Sequence, residues 1–134
     1  MKNNLEFTIF TPQKQIKIGE VKEVIVETIE GSLAILPKHI SMIAYLKPTV
    51  TQFVNLNGEK KNIFTSTGTL KVKENNVYII CDSAEYPENI DLKRAKEAKE
   101  RAEKRLRESK DKIDVKRAEM ALFRAVSRIK AKQI

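Results

Sequence analysis

Arg124 and Arg128 stand four residues apart in a stretch without Gly or Pro, a spacing that places two side chains on one face of an α-helix. A guanidinium is a planar fork of donors that grips phosphate oxygens in pairs. With Arg94 brought across from a neighbouring helix, three such groups would form a clamp for a polyphosphate. The same residues also fit a solvated basic face, a nucleic-acid surface or a contact with an acidic protein surface, and spacing alone leaves these open. Against nucleic acid, Phe123 is the only aromatic residue of segment 87–134, and nine acidic residues are mixed among its sixteen basic ones.

Other chemistry has little to work with. His39 follows Pro37-Lys38 in an expected turn, with no cysteine or second histidine near it. Cys81 ends an apolar run and reads as a small buried hydrophobe. One His and one Cys cannot supply a four-ligand zinc site, and a lone Cys forms no internal disulfide. The sequence has no phosphate-binding glycine loop, dinucleotide fingerprint or nucleophile elbow. Ser66-Thr67-Gly68-Thr69 is a hydroxyl-rich bend between strands. The expectation is a protein with no catalytic residues, no metal and no required cofactor.

The elements that must hold these residues come in two kinds. Of 134 residues, 41% are hydrophobic, enough for one compact core, and 33% are charged. The net charge of +8 is uneven. Residues 1–86 carry ten Lys and no Arg against nine acidic groups, a net of +1, while residues 87–134 carry +7 and all seven Arg. All four Gly lie in the first part, and neither Gly nor Pro follows Pro87. Glycines punctuate strands, and a stretch of Ala, Lys, Glu and Arg favours helix. The sequence therefore predicts two domains, 1–86 and 87–134. The start Met1-Lys2-Asn3-Asn4-Leu5-Glu6 lacks the apolar run of a secretion signal. No window approaches the roughly 20 apolar residues of a membrane span. A soluble, intracellular chain with no direct membrane insertion is expected.

The first domain reads as eight or nine short strands. Leu5–Phe10 and Thr69–Lys73 alternate apolar and polar residues, Val24-Ile25-Val26 is β-branched, and Val77–Cys81 is apolar. Asn57-Gly58 separates Val50–Val54 from Lys61–Thr65, a hairpin signal because both residues tolerate positive φ. The pattern predicts an antiparallel β-sandwich or barrel. The second domain reads as a helical hairpin, giving an α+β chain. Leu92, Ala95, Ala98, Ala102 and Leu106 form one stripe. Val115, Ala118, Leu122, Ala125 or Val126, and Ile129 form the other. Alanine buries little area, and stabilisation scales with area at about 25 cal/mol per Å², so such a hairpin is weakly held and able to open. Ile90–Ala95 recurs as Ile113–Ala118, suggesting two similar helix starts.

Three stretches carry a resemblance. Glu30-Gly31-Ser32-Leu33-Ala34-Ile35-Leu36-Pro37-Lys38-His39, Phe64–Val72 and Ile90-Asp91-Leu92-Lys93-Arg94-Ala95 occur in the order found in the epsilon subunit of bacterial F-type ATP synthases. The whole chain resembles that family, with Ala34, Lys38 and Thr67 standing where it usually has glycine. The resemblance implies a non-catalytic rotor subunit of the central stalk, in a proton- or sodium-driven machine at the cytoplasmic face of the cell membrane. The sandwich would bind the gamma subunit and meet the c-ring through Glu30, Gly31, Ser32 and His39. The hairpin would lie folded or extend into the alpha/beta hexamer to block ATP hydrolysis. It implies a regulatory ATP site at Glu85, Ile90, Asp91, Arg94, Ala95, Arg124 and Arg128. The alternative function is a nucleic-acid-binding β-domain with a basic helical tail.

Overall fold

The computed structural model describes residues 3–133; the Met1-Lys2 start and the outer limits expected at residues 1 and 134 lie outside them. The described residues form β1 (Leu5–Phe10), β2 (Gln15–Val21), β3 (Glu23–Thr28), β4 (Gly31–Ile35), β5 (Met42–Leu46), β6 (Thr49–Val54), β7 (Lys60–Thr65), β8 (Gly68–Lys73), β9 (Asn76–Cys81) and the two-residue β10 (Ala84–Glu85). A 3₁₀ turn at Pro87–Asn89 leads into α1 (Leu92–Glu108) and α2 (Lys112–Gln133).

The strands follow the order β10-β7-β6-β3-β5-β8-β9-β1-β2, with β4 paired to β3. Alternation decides which side chains face inward. Leu5, Phe7 and Ile9 of β1, Val24 and Val26 of β3, Leu70 and Val72 of β8, and Val77 and Ile79 of β9 are all buried in one core. Phe7 meets Phe53 of β6 edge-on, centroids 5.8 Å apart, so strands from distant parts of the wrapped sheet pack face to face as a sandwich. One pairing departs from the antiparallel expectation: β1 runs parallel to β9. The intervening strands form the long crossover that a parallel pair requires.

The Asn57-Gly58 hairpin exists, but not as a two-residue turn. Gly58 takes a positive φ of 83° and Asn57 does not. The loop runs from Asn55 to Glu59, whose backbone N–H donates to the Asn55 side-chain oxygen at 2.9 Å, as does that of Asn57 at 3.0 Å. Asn55 thus organises the turn through its amide oxygen. Of the three positions where the family pattern has glycine, Lys38 alone adopts left-handed backbone, φ 68°. Its N–H donates to Asn75 Oδ1 at 2.7 Å. Ala34 sits in ordinary paired strand opposite Ile25. Gly68 is demanded by proximity, because a Cβ there would strike the Ile80 carbonyl oxygen and lie 2.8 Å from Cys81 Cα.

Asp91 begins α1 by accepting the Arg94 backbone N–H at 3.1 Å, an N-cap that satisfies a donor the helix leaves open. The Ile90/Ile113 repeat is not equivalent in space. Asp91 is a cap, whereas its counterpart Asp114 lies inside the first turn of α2. The capping contact of the second helix comes from Asp111, whose Oδ1 accepts the Ile113 N–H at 2.8 Å.

The helices face one another through small residues. Every buried helical side chain is Ala or Ser: Ala95 and Ala102 on α1, and Ala118, Ala125, Ser127 and Ala131 on α2. The open alternative at 125/126 resolves in favour of Ala125, since Val126 is exposed. The hairpin lies folded, with α2 over β6, β7 and the 3₁₀ turn. Ala131 closes there on Phe64, Ile90 and Val50 in a small second core.

Candidate anion-binding cavity at the domain joint

Where the end of α2 crosses the last strands, one side chain makes several contacts. Arg128 Nε donates to Glu85 Oε1 at 2.7 Å, and its Cζ lies 4.4 Å from the centroid of the Phe64 ring. The ion pair is partly buried, and a cation over an aromatic face gains from the ring quadrupole. One turn further on, Lys132 Nζ donates to the Pro87 carbonyl oxygen at 2.8 Å. These contacts and the Ala131–Phe64–Ile90 cluster fasten the arm to the sandwich.

Beside this fastening is a cavity of about 430 Å³ lined by Glu85, Asn89, Asp91, Arg94, Ala95, Ala98, Arg101 and Arg128. Five of the seven nucleotide-site residues expected from the sequence therefore converge: Glu85, Asp91, Arg94, Ala95 and Arg128. Ile90 adjoins them but is buried beneath α2. Arg124 is not brought in. It lies in a different open groove on α2, with Lys112, Ile113, Lys116, Arg117 and Met120. One helical turn, about 5.4 Å of axis, separates it from Arg128, enough to take it past the cavity. Arg101 occupies the third guanidinium position instead. Its signal was available, since it falls seven residues after Arg94 and so on the same helix face.

The arrangement suits an anion with an apolar body. Arg94, Arg101 and Arg128 offer guanidinium forks, Ala95 and Ala98 give a small apolar wall, and Glu85 and Asp91 can accept from amino or hydroxyl groups. The Asp91 carboxylate is already engaged by the helix it caps.

The expected c-ring residues gather elsewhere. The turn after β3 is shaped by Thr28, whose hydroxyl donates to the Gly31 carbonyl at 2.8 Å and accepts the Glu30 N–H at 3.1 Å. Glu30, Gly31 and Ser32 line a groove with Ile29, Ile43 and Tyr45; these last three are 66%, 66% and 67% exposed. His39 lies outside that lining, with Nδ1 2.8 Å from the Ile40 carbonyl oxygen. Cys81 is buried, its thiol donates to the Ser83 carbonyl at 3.3 Å, and burial pushes its pKa up to about 11. It is inert as a nucleophile at neutral pH.

Comparison with known proteins bears on the whole chain. Residues 4–87 match the family model "ATP synthase, Delta/Epsilon chain, beta-sandwich domain", and residues 88–133 match "ATP synthase, Delta/Epsilon chain, long alpha-helix domain". The ATP synthase epsilon chain of Clostridium botulinum is 65% identical over 134 residues, all of both chains. That of Clostridium acetobutylicum is 52% identical over 109 residues, 81% of this chain and 82% of that protein. In fold the chain is similar to one in the Euglena gracilis mitochondrial ATP synthase, with a TM-score of 0.85 at 23% identity, covering 100% of this chain and 84% of that one. A chain of the Tetrahymena thermophila central stalk and c-ring structure gives 0.70 at 17% identity, covering 98% of each. The nucleic-acid alternative finds no support among these relatives. Matched along both its parts and nearly two-thirds identical to a full-length relative, the chain belongs to the ATP synthase delta/epsilon family as an epsilon chain.

Proposed function

We propose that this chain is the non-catalytic central-stalk subunit of a rotary ATP synthase, anchored by residues 1–86 and regulated by residues 87–134. The anchoring unit offers an apolar surface for the gamma subunit. Ile80 of β9 and the half-buried Phe10–Tyr78 ring pair lie on the outward faces of the neighbouring strands β9 and β1, and Ile43 and Tyr45 of β5, which also line the Glu30–Ser32 groove, stand across β8 from them. Exposed apolar side chains grouped this way mark an interaction face. The c-ring would meet Glu30, Gly31 and Ser32 at the adjoining groove, with His39 beyond it.

The observation that carries the regulatory half is the seam of alanines. A switching element needs two packings separated by only a few kcal/mol. No large apolar residue is fully buried between α1 and α2, and the arm is fastened at one end, by Arg128, Lys132 and the Ala131 cluster. Only Ser109-Lys110-Asp111 separates the helices, and none of these residues forbids helix. A continuous helix over residues 92–133 would reach about 60 Å at 1.5 Å per residue, carrying the Lys112–Arg124 basic groove towards an acidic segment of a beta subunit in the alpha/beta hexamer. The cavity at the joint exists only while α2 is folded, since Arg128 comes from α2 and Glu85 from β10. ATP bound there would favour the folded arm and relieve inhibition.

No helix of the described residues is long and apolar enough to cross a membrane. Attachment to the cytoplasmic face of the cell membrane would be peripheral, through the complex.

The test is reconstitution with alpha, beta and gamma subunits, using the full chain and one stopped after Tyr86. The full chain should lower ATP hydrolysis and the shortened chain should bind without lowering it. Equal hydrolysis with both chains bound would overturn the inhibitory role. Calorimetry of the full chain at millimolar ATP should give a heat that Arg94→Ala and Arg101→Ala each diminish; no heat would remove the nucleotide site.

A further inference from the structure

The wrapped sheet does not close. β2 ends the strand order, so one of its edges has no neighbouring strand among the described residues. β7 pairs with β10 only through Phe64 and Thr65, which leaves the edge of Lys60–Ile63 without a strand partner. Between these two edges runs a groove of about 720 Å³, which shares no lining residue with the cavity at the joint or with the exposed apolar face of β5 and β9, although Tyr86, Pro87 and Glu88 bring it up to the joint. Ile18 and Phe53 form its apolar floor and Tyr86 part of its wall, while Lys17, Lys60, Lys61, Asn55 and Asn62 supply polar groups.

Its charge is one-sided. Lys17 and Lys60 have no ion-pair partner among the described residues, and Lys61 has one loose exposed contact, 3.7 Å from Glu59. Glu59 is itself held below the usual carboxylate range, first by its hydrogen bond from Asn55 and then by Lys61. Glu88 is the single acidic residue of the lining. Burial, with Glu88 nearby, raises the Tyr86 phenol above its ordinary value, so it stays neutral.

We propose that this groove is a docking site for an extended acidic segment of another protein, added as a strand along β2 with its carboxylates towards Lys17 and Lys60. Unpaired strand edges supply backbone hydrogen bonds, and alternate side chains of an added strand fill pockets. Lysines on an edge also deter pairing with a second copy of the same strand. The same ammonium groups favour a strand of opposite charge, and Ile18 and Phe53 receive its apolar alternate residues. An open polar channel between backbone edges fits a peptide better than a compact phosphate, for which no guanidinium is at hand.

The test uses the full chain and a six-residue probe peptide of alternating Glu and Val, observed by backbone amide NMR. The expected result is saturable shifts confined to Gln15–Val21 and Lys60–Asn62, with slowed amide exchange along β2. Lys17→Glu combined with Lys60→Glu should weaken binding at least tenfold without changing the thermal midpoint, since both residues are exposed. A matching Lys/Val peptide should not bind. Three results would each overturn the proposal: shifts that fall mainly on the basic helices, equal binding of the Lys/Val peptide, or shifts in this groove given by inorganic phosphate alone at the same concentration.

Discussion

Replacing Arg128 by Gln removes the group on which the folded arm most depends, and the structure sets the size of the effect. The Arg128 and Glu85 side chains keep 27% and 32% of their exposure, which places the pair between a surface ion pair, at 0.2–1 kcal/mol, and a buried one, where losing a partner costs about 3–5 kcal/mol. Screening by solvent argues for the lower part of that range, about 1 kcal/mol. The guanidinium over Phe64 adds about 1 kcal/mol for a partly desolvated cation–π contact. Arg128→Gln should therefore shift the balance of folded and open arms by about 2 kcal/mol, a factor of roughly 30. Glu85→Gln should cost about 1 kcal/mol, because the ring contact remains. The double variant should cost little more than Arg128→Gln, giving a coupling of about 1 kcal/mol. Native-state hydrogen exchange over 125–132 reads this directly, since amides covered by the fastening exchange through its opening. Core amides such as those of Leu70 and Ile79 should not change. Exchange in Arg128→Gln within twofold of the parent, or fully additive single effects, would refute the assignment of Arg128 as the fastening residue.

Two further outcomes follow from the same structure. Ala118→Leu places a larger side chain where 1% exposure remains and should force the helices apart at a cost of about 1–3 kcal/mol; it should speed exchange throughout α1 while the thermal transition of the sandwich is unmoved. Because the Cys81 pKa is raised in the folded chain to about 11 from an ordinary 9.0, the unfolded chain loses this proton first, so its contribution is intact below pH 9 and is lost as pH rises towards 11. Denaturant midpoints between pH 8 and 11 should fall more steeply for the parent than for Cys81→Ala, and equal slopes would contradict the burial of the thiol.

Local periodicity and composition were sufficient for much of this architecture. Period-two alternation in Leu5–Phe10 and Thr69–Lys73 announced strands whose inward residues the structure buries, because a pleated strand presents alternate side chains to opposite faces. The end of Gly and Pro usage at Pro87, with the Arg-rich Ala stripes after it, announced the two helices and their thin seam. The Asp91-to-Ala95 motif announced a helix start, while only the family resemblance implied that Asp91 and Ala95 stand beside Arg94 at the cavity. Turn chemistry was less legible: Asn57-Gly58 marked the hairpin but not the loop's organiser, the Asn55 amide oxygen, which accepts from the backbone of Asn57 and Glu59.

Long-range geometry was out of reach of any local pattern. The parallel β1–β9 pair joins residues some seventy positions apart, and strand order carries no local signature. Arg124 and Arg128 are indistinguishable by helix spacing, yet only Arg128 lies over the end of β7, where Phe64 and Glu85 can hold it. The open edges of β2 and β7 likewise exist only once the sheet has wrapped and failed to close. By itself the sequence determined which segments are strand or helix and which small residues line the helical seam, since these depend on neighbours within a turn or a pleat. Only the tertiary structure decided which arginine fastens the arm and which surfaces remain free, because those depend on where distant segments come to rest against one another.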